Sequence, residues 1–267
     1  MARPLVAHTL AAVCSALCFG LFASTAFAQL NDTGQITCYN ATAATGTVSP
    51  ATNDPETAGF DEQDCTRGAA AADALGAQTK IGGSSTPGRD YTKIANNGSV
   101  LSASATLGSN PTDWACTRDN ITGLIWEVKT DDGGLRDKDN FYTWYNADSS
   151  VNGGDAGTEA GANCNGTLAN CNTTAFRGAV NAASLCGVTD WRLPTAKELQ
   201  SLVDYGRAVV PAIDTTWFPN TPSRYYWSAQ NYAPSASNAW SVGFYSGYLS
   251  AFVKNGNLQV RLVRGGQ

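Results

Sequence analysis

Six cysteines follow an N-terminal leader, and an even set of that size constrains the fold more than any other feature of the chain. Residues 1–28 read as a secretory signal peptide. Arg3 gives the positive start, Leu10 to Phe22 the apolar stretch, and Ala26-Phe27-Ala28 the small-x-small site, with cleavage after Ala28. The apolar run falls short of the roughly 20 residues a membrane span needs. The mature chain is therefore expected to have no transmembrane segment, and to be secreted, periplasmic or held at the cell surface. Cys14 and Cys18 leave with the leader; Cys38, Cys65, Cys116, Cys164, Cys171 and Cys186 remain. In an exported chain such a set favours three disulfides, and sequence alone leaves many pairings open. The expected set is Cys164–Cys171 as a loop clip, Cys116–Cys186 as the domain staple, and Cys38–Cys65 in the N-terminal segment. A metal site is the competing reading, and no Cys-x-x-Cys pair supports it.

Without the leader, 239 of the 267 residues remain, enough for one large or two small domains. The only histidine, His8, lies in the leader. A mature chain without histidine excludes Ser-His-Asp and Cys-His nucleophiles and histidine-ligated zinc. Charge is uneven. Residues 29–170 hold 8 Lys+Arg against 18 Asp+Glu, a balance of −10; residues 171–267 hold 8 against 4, a balance of +4. The simpler account is an acidic loop region beside a near-neutral domain; the sharper one is that the C-terminal part can meet an anionic partner such as an acidic glycan. No Lys/Arg run resembles a nucleic-acid patch.

Residues 29–115 are rich in Ala, Thr, Gly, Ser and Asn and read as an irregular arm packing on a main domain at 116–267; a separate, loosely folded domain is the alternative. Within the arm, Ala69 to Leu75 suits a short helix, and Tyr91 to Ile94 and Ser99 to Leu101 suit strands around Asn96-Asn97-Gly98. The pattern sharpens at Ile121, where Leu124, Trp126 and Val128 alternate. Phe141 to Tyr145 reads as an aromatic strand. A first helix starts near Thr173 or Thr174 with Phe176, Val180 and Ala183 on one face and Gly187 as its cap. A second carries the capping box Thr195-x-x-Glu198, with Leu199, Leu202 and Val203 as its buried stripe; Trp191 and Leu193 before it suit the core. The tail reads as an antiparallel meander: Trp240, Val242 and Phe244 on one strand, Tyr248 to Val253 on the next, a hairpin turn at Asn255-Gly256, then Leu258, Val260 and Leu262.

Three blocks stand out in this tail: CGVTDWRLPTAKELQSLVDYG from Cys186 to Gly206, YYWSAQ from Tyr225 to Gln230, and VRLVRGG from Val260 to Gly266. Together they resemble the Lcl C-terminal domain family, found in bacterial surface and secreted proteins and named after a collagen-like adhesin. The resemblance is specific from about Cys116 to Gln267 and looser from Gly34 to Trp114. It implies an α+β, C-type-lectin-like domain with two helices, a mainly antiparallel sheet, long loops and disulfide staples, and a binding or adhesion role.

The candidate chemistry is sparse. Glycosidases need paired acids across a sugar bond, whereas Asp190, Asp204 and Asp214 are the few acids of the ordered part and suit structural roles. Sugar-binding C-type lectins carry Glu-Pro-Asn or Gln-Pro-Asp plus Trp-Asn-Asp. The nearest approach here is Phe218-Pro219-Asn220, so that calcium site is not carried over. Asp131, Asp132, Asp137 and Asp139 offer oxygen ligands for a structural calcium, with a solvated turn as the alternative; no other cofactor is expected. Formylglycine-generating enzymes share the broad fold class but depend on free cysteines. An enzyme acting on glycans or protein side chains therefore has no specific motif, and a structural subunit of a surface assembly is a third reading. The strongest candidate is a polar-aromatic recognition surface for an extracellular glycan or protein, of the residue types that make adaptable contacts. It is expected to run continuously over Tyr232, Asn238, Tyr245 and Tyr248, with Arg224 or Lys254 near its edge for anionic groups and Asn231 and Asn255 as further ligand-binding candidates; Ser250 and Phe252 share the face of Tyr245. Similar tails serve as variable regions in retroelement-diversified proteins, where these Asn and Tyr positions and Asn257 would be the variable set. A homo-oligomer is compatible with this reading.

Overall fold

Six cysteines form three disulfides, Cys38–Cys65, Cys116–Cys186 and Cys164–Cys171, with Cα separations of 5.3, 6.4 and 5.6 Å. This is the expected pairing. The computed structural model describes residues 31–49, 55–56, 63–84 and 86–265, so the expected signal peptide at 1–28 lies outside the described residues. Among those described, no helix is long and apolar enough to cross a membrane.

The fold is α+β with mainly antiparallel sheets. Strands β1 (Thr37–Tyr39) and β2 (Ala44–Thr47) pair as a hairpin, and helix α1 (Gly68–Ala74) follows. Strands β3 (Tyr91–Ala95), β4 (Trp114–Asp119) and β5 (Ile125–Glu127) form an antiparallel sheet. Helices α2 (Thr173–Ala182) and α3 (Ala196–Ser201) come next, then a three-stranded antiparallel sheet of β6 (Tyr225–Asn231), β7 (Asn238–Gly243) and β8 (Leu249–Val253). The short β9 (Val263–Arg264) returns to β5 and completes a four-stranded sheet in the order β3-β4-β5-β9.

The N-terminal segment is tied into this body. Every residue of β3 is buried, and the Arg89 guanidinium donates to the carbonyls of Ser201 and Val203 at the end of α3. The Ser201 carbonyl is among the groups a helix end leaves without intrahelical partners, so Arg89 caps the end of α3 and the chain just after it.

Helix α2 begins where the Asn172 side chain accepts from the Ala175 amide at 2.8 Å. Phe176 and Val180 are buried as expected, but Ala183 is exposed. The helix also ends before Gly187. The chain turns out of it at Ser184 (φ 49°), and Cys186 (φ 54°) reaches across to Cys116, so Gly187 closes a following 3-10 turn instead. Helix α3 has its capping box: Glu198 N donates to Thr195 Oγ1 at 3.2 Å, and Thr195 N donates to the Glu198 carboxylate at 2.7 Å. Leu199, Leu202 and Val203 are buried in a cluster with Trp126, Phe218, Tyr226, Val242 and Phe244. A second cluster gathers Tyr142, Trp144, Phe176, Trp191, Trp227, Val260 and Leu262, with Leu193 partly buried against it.

Three expectations are corrected. Phe141 to Tyr145 is not a strand. Tyr142 bridges Leu258, Thr143 bridges Asn172 and Tyr145 bridges Gly157, so successive residues bond to different neighbours and no ladder propagates. The last segment does not extend the meander either. Gly256 N closes a turn onto Val253 O at 2.8 Å, but the chain then crosses to the far edge of β6 and runs parallel to it. Gln259 N donates to Tyr225 O at 3.0 Å and Trp227 N to Gln259 O at 2.9 Å. Val260 and Leu262 keep their alternation and are fully buried there. Trp240 is half-buried rather than a core residue like Val242.

Candidate functional site

The register of the three-stranded sheet decides which tail residues meet. Tyr225 lies opposite Gly243, Ser241 opposite Ser250, and Ala239 opposite Phe252. Cross-strand partners share a face and side chains alternate along a strand, so Tyr225, Ser250 and Phe252 lie on one face. Tyr226, Val242 and Trp240 lie on the other.

Tyr225 organises the first face. Its ring meets that of Tyr245 edge to face at 5.3 Å and tilts against Phe252 at 4.6 Å. Its hydroxyl lies 2.5 Å from the Tyr245 hydroxyl, and Ser250 Oγ donates to it at 3.3 Å. Gly243 makes the arrangement possible. A Cβ there would stand 2.9 Å from Cε1 of both tyrosine rings, so the rings meet over a residue without a side chain. Beside them the exposed Arg224 places its guanidinium 4.8 Å over the Phe141 ring, a cation–π contact. Phe141, Arg224, Tyr225, Tyr245, Asn257 and Leu258 line a cavity of about 340 Å³. The hydrogen bond to Tyr225 holds the Tyr245 phenol above its ordinary pKa. Alternation alone had marked Tyr245, Ser250 and Phe252; Tyr225 was missed, and its place opposite a glycine was the available signal.

The remaining expected residues do not join this face, so the single continuous surface is corrected to separate patches. Tyr232 packs edge to face on Trp240 at 4.9 Å, on the opposite side of the sheet. Asn238 accepts from Tyr232 N through its carbonyl and from Ser237 Oγ through its side chain. Asn231 donates to Val151 O at 2.6 Å and so holds the 148–154 loop. Tyr248 stands 67% exposed in the turn between β7 and β8, and Asn255 is exposed in the turn after β8.

Lys254 is also corrected. It is buried, with Nζ donating to Asn152 O at 2.8 Å and Asp155 O at 2.5 Å and lying 4.2 Å over the Trp144 ring. Burial lowers its pKa. An ammonium satisfied by two carbonyls and an indole face has no capacity left for a ligand, and its role is to fasten the long loop to the sheet.

The acids are similarly committed. Asp137 accepts from the amides of Asp132, Gly133 and Asp139, and Lys138 pairs with Asp131 and Asp139. The loop thus satisfies its own carboxylates with N–H and ammonium donors, an arrangement that competes with a calcium ion. Asp190 is paired to Arg264 by two 2.9 Å hydrogen bonds, and Asp214 accepts from Ser84 and Thr216. Among the described residues, Cys38, Glu56 and Cys65 are close enough for a metal, but both sulfurs are in a disulfide.

Residues 115–264 match the family model of the Lcl C-terminal domain. The chain belongs to this family. Comparison with curated proteins gives no match. The span of the Lcl C-terminal domain begins inside β4 and ends in β9, so it takes in helices α2 and α3, the Cys116–Cys186 and Cys164–Cys171 staples and the whole tyrosine face. Strand β3, which completes the four-stranded sheet, precedes the matched residues.

Proposed function

We propose that the chain is a binding module of the adhesin type, recognising an extracellular glycan or surface protein through the face built on Tyr225 and Tyr245. The carrying observation is the exposed Tyr245, paired to the half-buried Tyr225 and beside Arg224, which has no carboxylate partner among the described residues. Aromatic rings supply contact area at low entropic cost, and the guanidinium supplies paired donors for a carboxylate or sulfate. An anionic glycan is therefore the favoured ligand. The lectin-like layout implied by the resemblance fits this use, and three disulfides suit an extracytoplasmic setting. The module is read as non-catalytic, which the structural pairing of its ordered acids supports, and as calcium-independent, since the usual calcium–sugar motif is missing.

A glycan array probed with the purified protein tests this. Binding to acidic glycans should persist in a chelator, weaken as salt rises, and be lost in Tyr245→Ala and Arg224→Ala. Normal binding by both variants would remove the site from this face.

A further inference from the structure

Strand β8 is the edge of the three-stranded sheet. Gly243 N donates to Tyr248 O and Lys254 N to Ser237 O, so the even-numbered residues from Tyr248 to Lys254 bond to β7. By the alternation of an antiparallel ladder, the N–H and C=O groups of Leu249, Ala251 and Val253 point away from it. Of these, among the described residues, only Val253 O takes a backbone donor, from Gly256 in the following turn. The edge side chains are apolar and open: Leu249 is 41% and Val253 51% exposed. Edge strands are ordinarily guarded by charge, proline or a bulge. Here the register with β7 is regular, and Leu249–Val253 contains neither a charge nor a proline. Lys254 is the only charged residue between Arg224 and Arg261, and it is turned inward.

We infer that β8 pairs antiparallel with β8 of a second copy of this chain about a twofold axis at Ala251. The edge is self-complementary in that frame: Ala251 meets Ala251, and each Leu249 meets the other copy's Val253. The outward amides and carbonyls of all three residues then find partners, and the two sheets become one of six strands. A second copy fits better than a charged partner, because the strip offers nothing for a charge to read. It is also where two chains of formal net charge −5 can touch without like charges in contact. The twofold axis is perpendicular to the sheet, so both tyrosine faces point the same way.

Sedimentation velocity over a concentration series, with hydrogen exchange on the same samples, tests the inference. The purified protein should show a concentration-dependent dimer, with the amides of Leu249, Ala251 and Val253 exchanging more slowly as the dimer forms. Ala251→Pro removes an outward N–H without touching the β7 ladder, which edge positions tolerate; it should weaken dimerisation by roughly tenfold or more. Leu249→Lys places a charge on the same edge, should do likewise, and carries the test if the proline variant fails to fold. A monomer at every concentration overturns the inference. So does a trimer, or a dimer that persists in Leu249→Lys.

Discussion

The hydroxyls of Tyr225 and Tyr245 lie 2.5 Å apart, although the residues are 20 positions apart and their rings stand edge to face. The pair shares one hydrogen bond above the unsubstituted Gly243, so each ring fixes the other's orientation at the mouth of the cavity beside Arg224. Because that bond raises the Tyr245 pKa, the neutral phenols are the state that holds the face together. The contribution is present below the ordinary tyrosine pKa and fades as pH rises through the raised one. Tyr225→Phe should therefore lower the Tyr245 pKa towards its ordinary value, read by ultraviolet titration of the phenolate. An unchanged titration curve would show that the contact does not persist in solution.

The α3 cap carries an acid-sensitive link. Burial alone would lift the Glu198 carboxyl, but hydrogen bonds from Arg192 and from the Thr195 amide outweigh it and hold the pKa below the usual range. A depressed carboxylate contributes stability above its unfolded pKa and loses it as pH falls through the folded one. Glu198→Gln should flatten this part of the acid limb of stability. Thr195→Ala should cost about 1 kcal/mol, and Leu199→Ala, which opens a cavity in the buried cluster, roughly 2–5 kcal/mol. Urea denaturation at two pH values measures all three.

Loop size orders the disulfides. Cys116–Cys186 closes a separation of 70 residues and Cys164–Cys171 one of 7. The chain-entropy model gives about 4 kcal/mol for the first and about 2 kcal/mol for the second. Paired Cys→Ala variants at each bridge should differ in that order by chemical denaturation, and thiol titration of the denatured, unreduced protein should find no free thiol among these six.

Arg224 and Lys254 should separate cleanly. Arg224→Ala leaves the fold intact and weakens anion-dependent binding, together with its salt dependence. Lys254→Met strips the 152–155 carbonyls of their donor and should destabilise by about 1–3 kcal/mol, with the tyrosine face unaltered. Thermal unfolding and binding assays on both variants would expose a reversal of these roles.

Local signals carried the parts of this fold that local chemistry decides. The Thr195–Glu198 box, the alternation of Leu124, Trp126 and Val128, and the Phe176–Val180 stripe each specify an element whose bonds lie within a few residues. The failures are non-local. Asn255-Gly256 does make its turn, but whether Leu258 returns along β8 or crosses to β6 depends on which edge is open, and no window of sequence encodes that. Lys254 looked like a surface cation because its type is usually solvated; only the fold places two carbonyls and the Trp144 ring around it. The face itself was half legible, since alternation sorts side chains into two sets without naming Tyr225 as the residue that joins them.

Leu258 to Arg264 borders the two larger sheets, giving β6 its parallel neighbour and β5 its antiparallel one. These residues are also made late. A chain emerging N-terminus first presents Trp126, Trp227 and their surrounding aromatics long before the backbone that seals them arrives. Both cores are therefore expected to close only once synthesis has passed Arg264, and a product arrested before Leu258 should leave them open to chaperones and proteases.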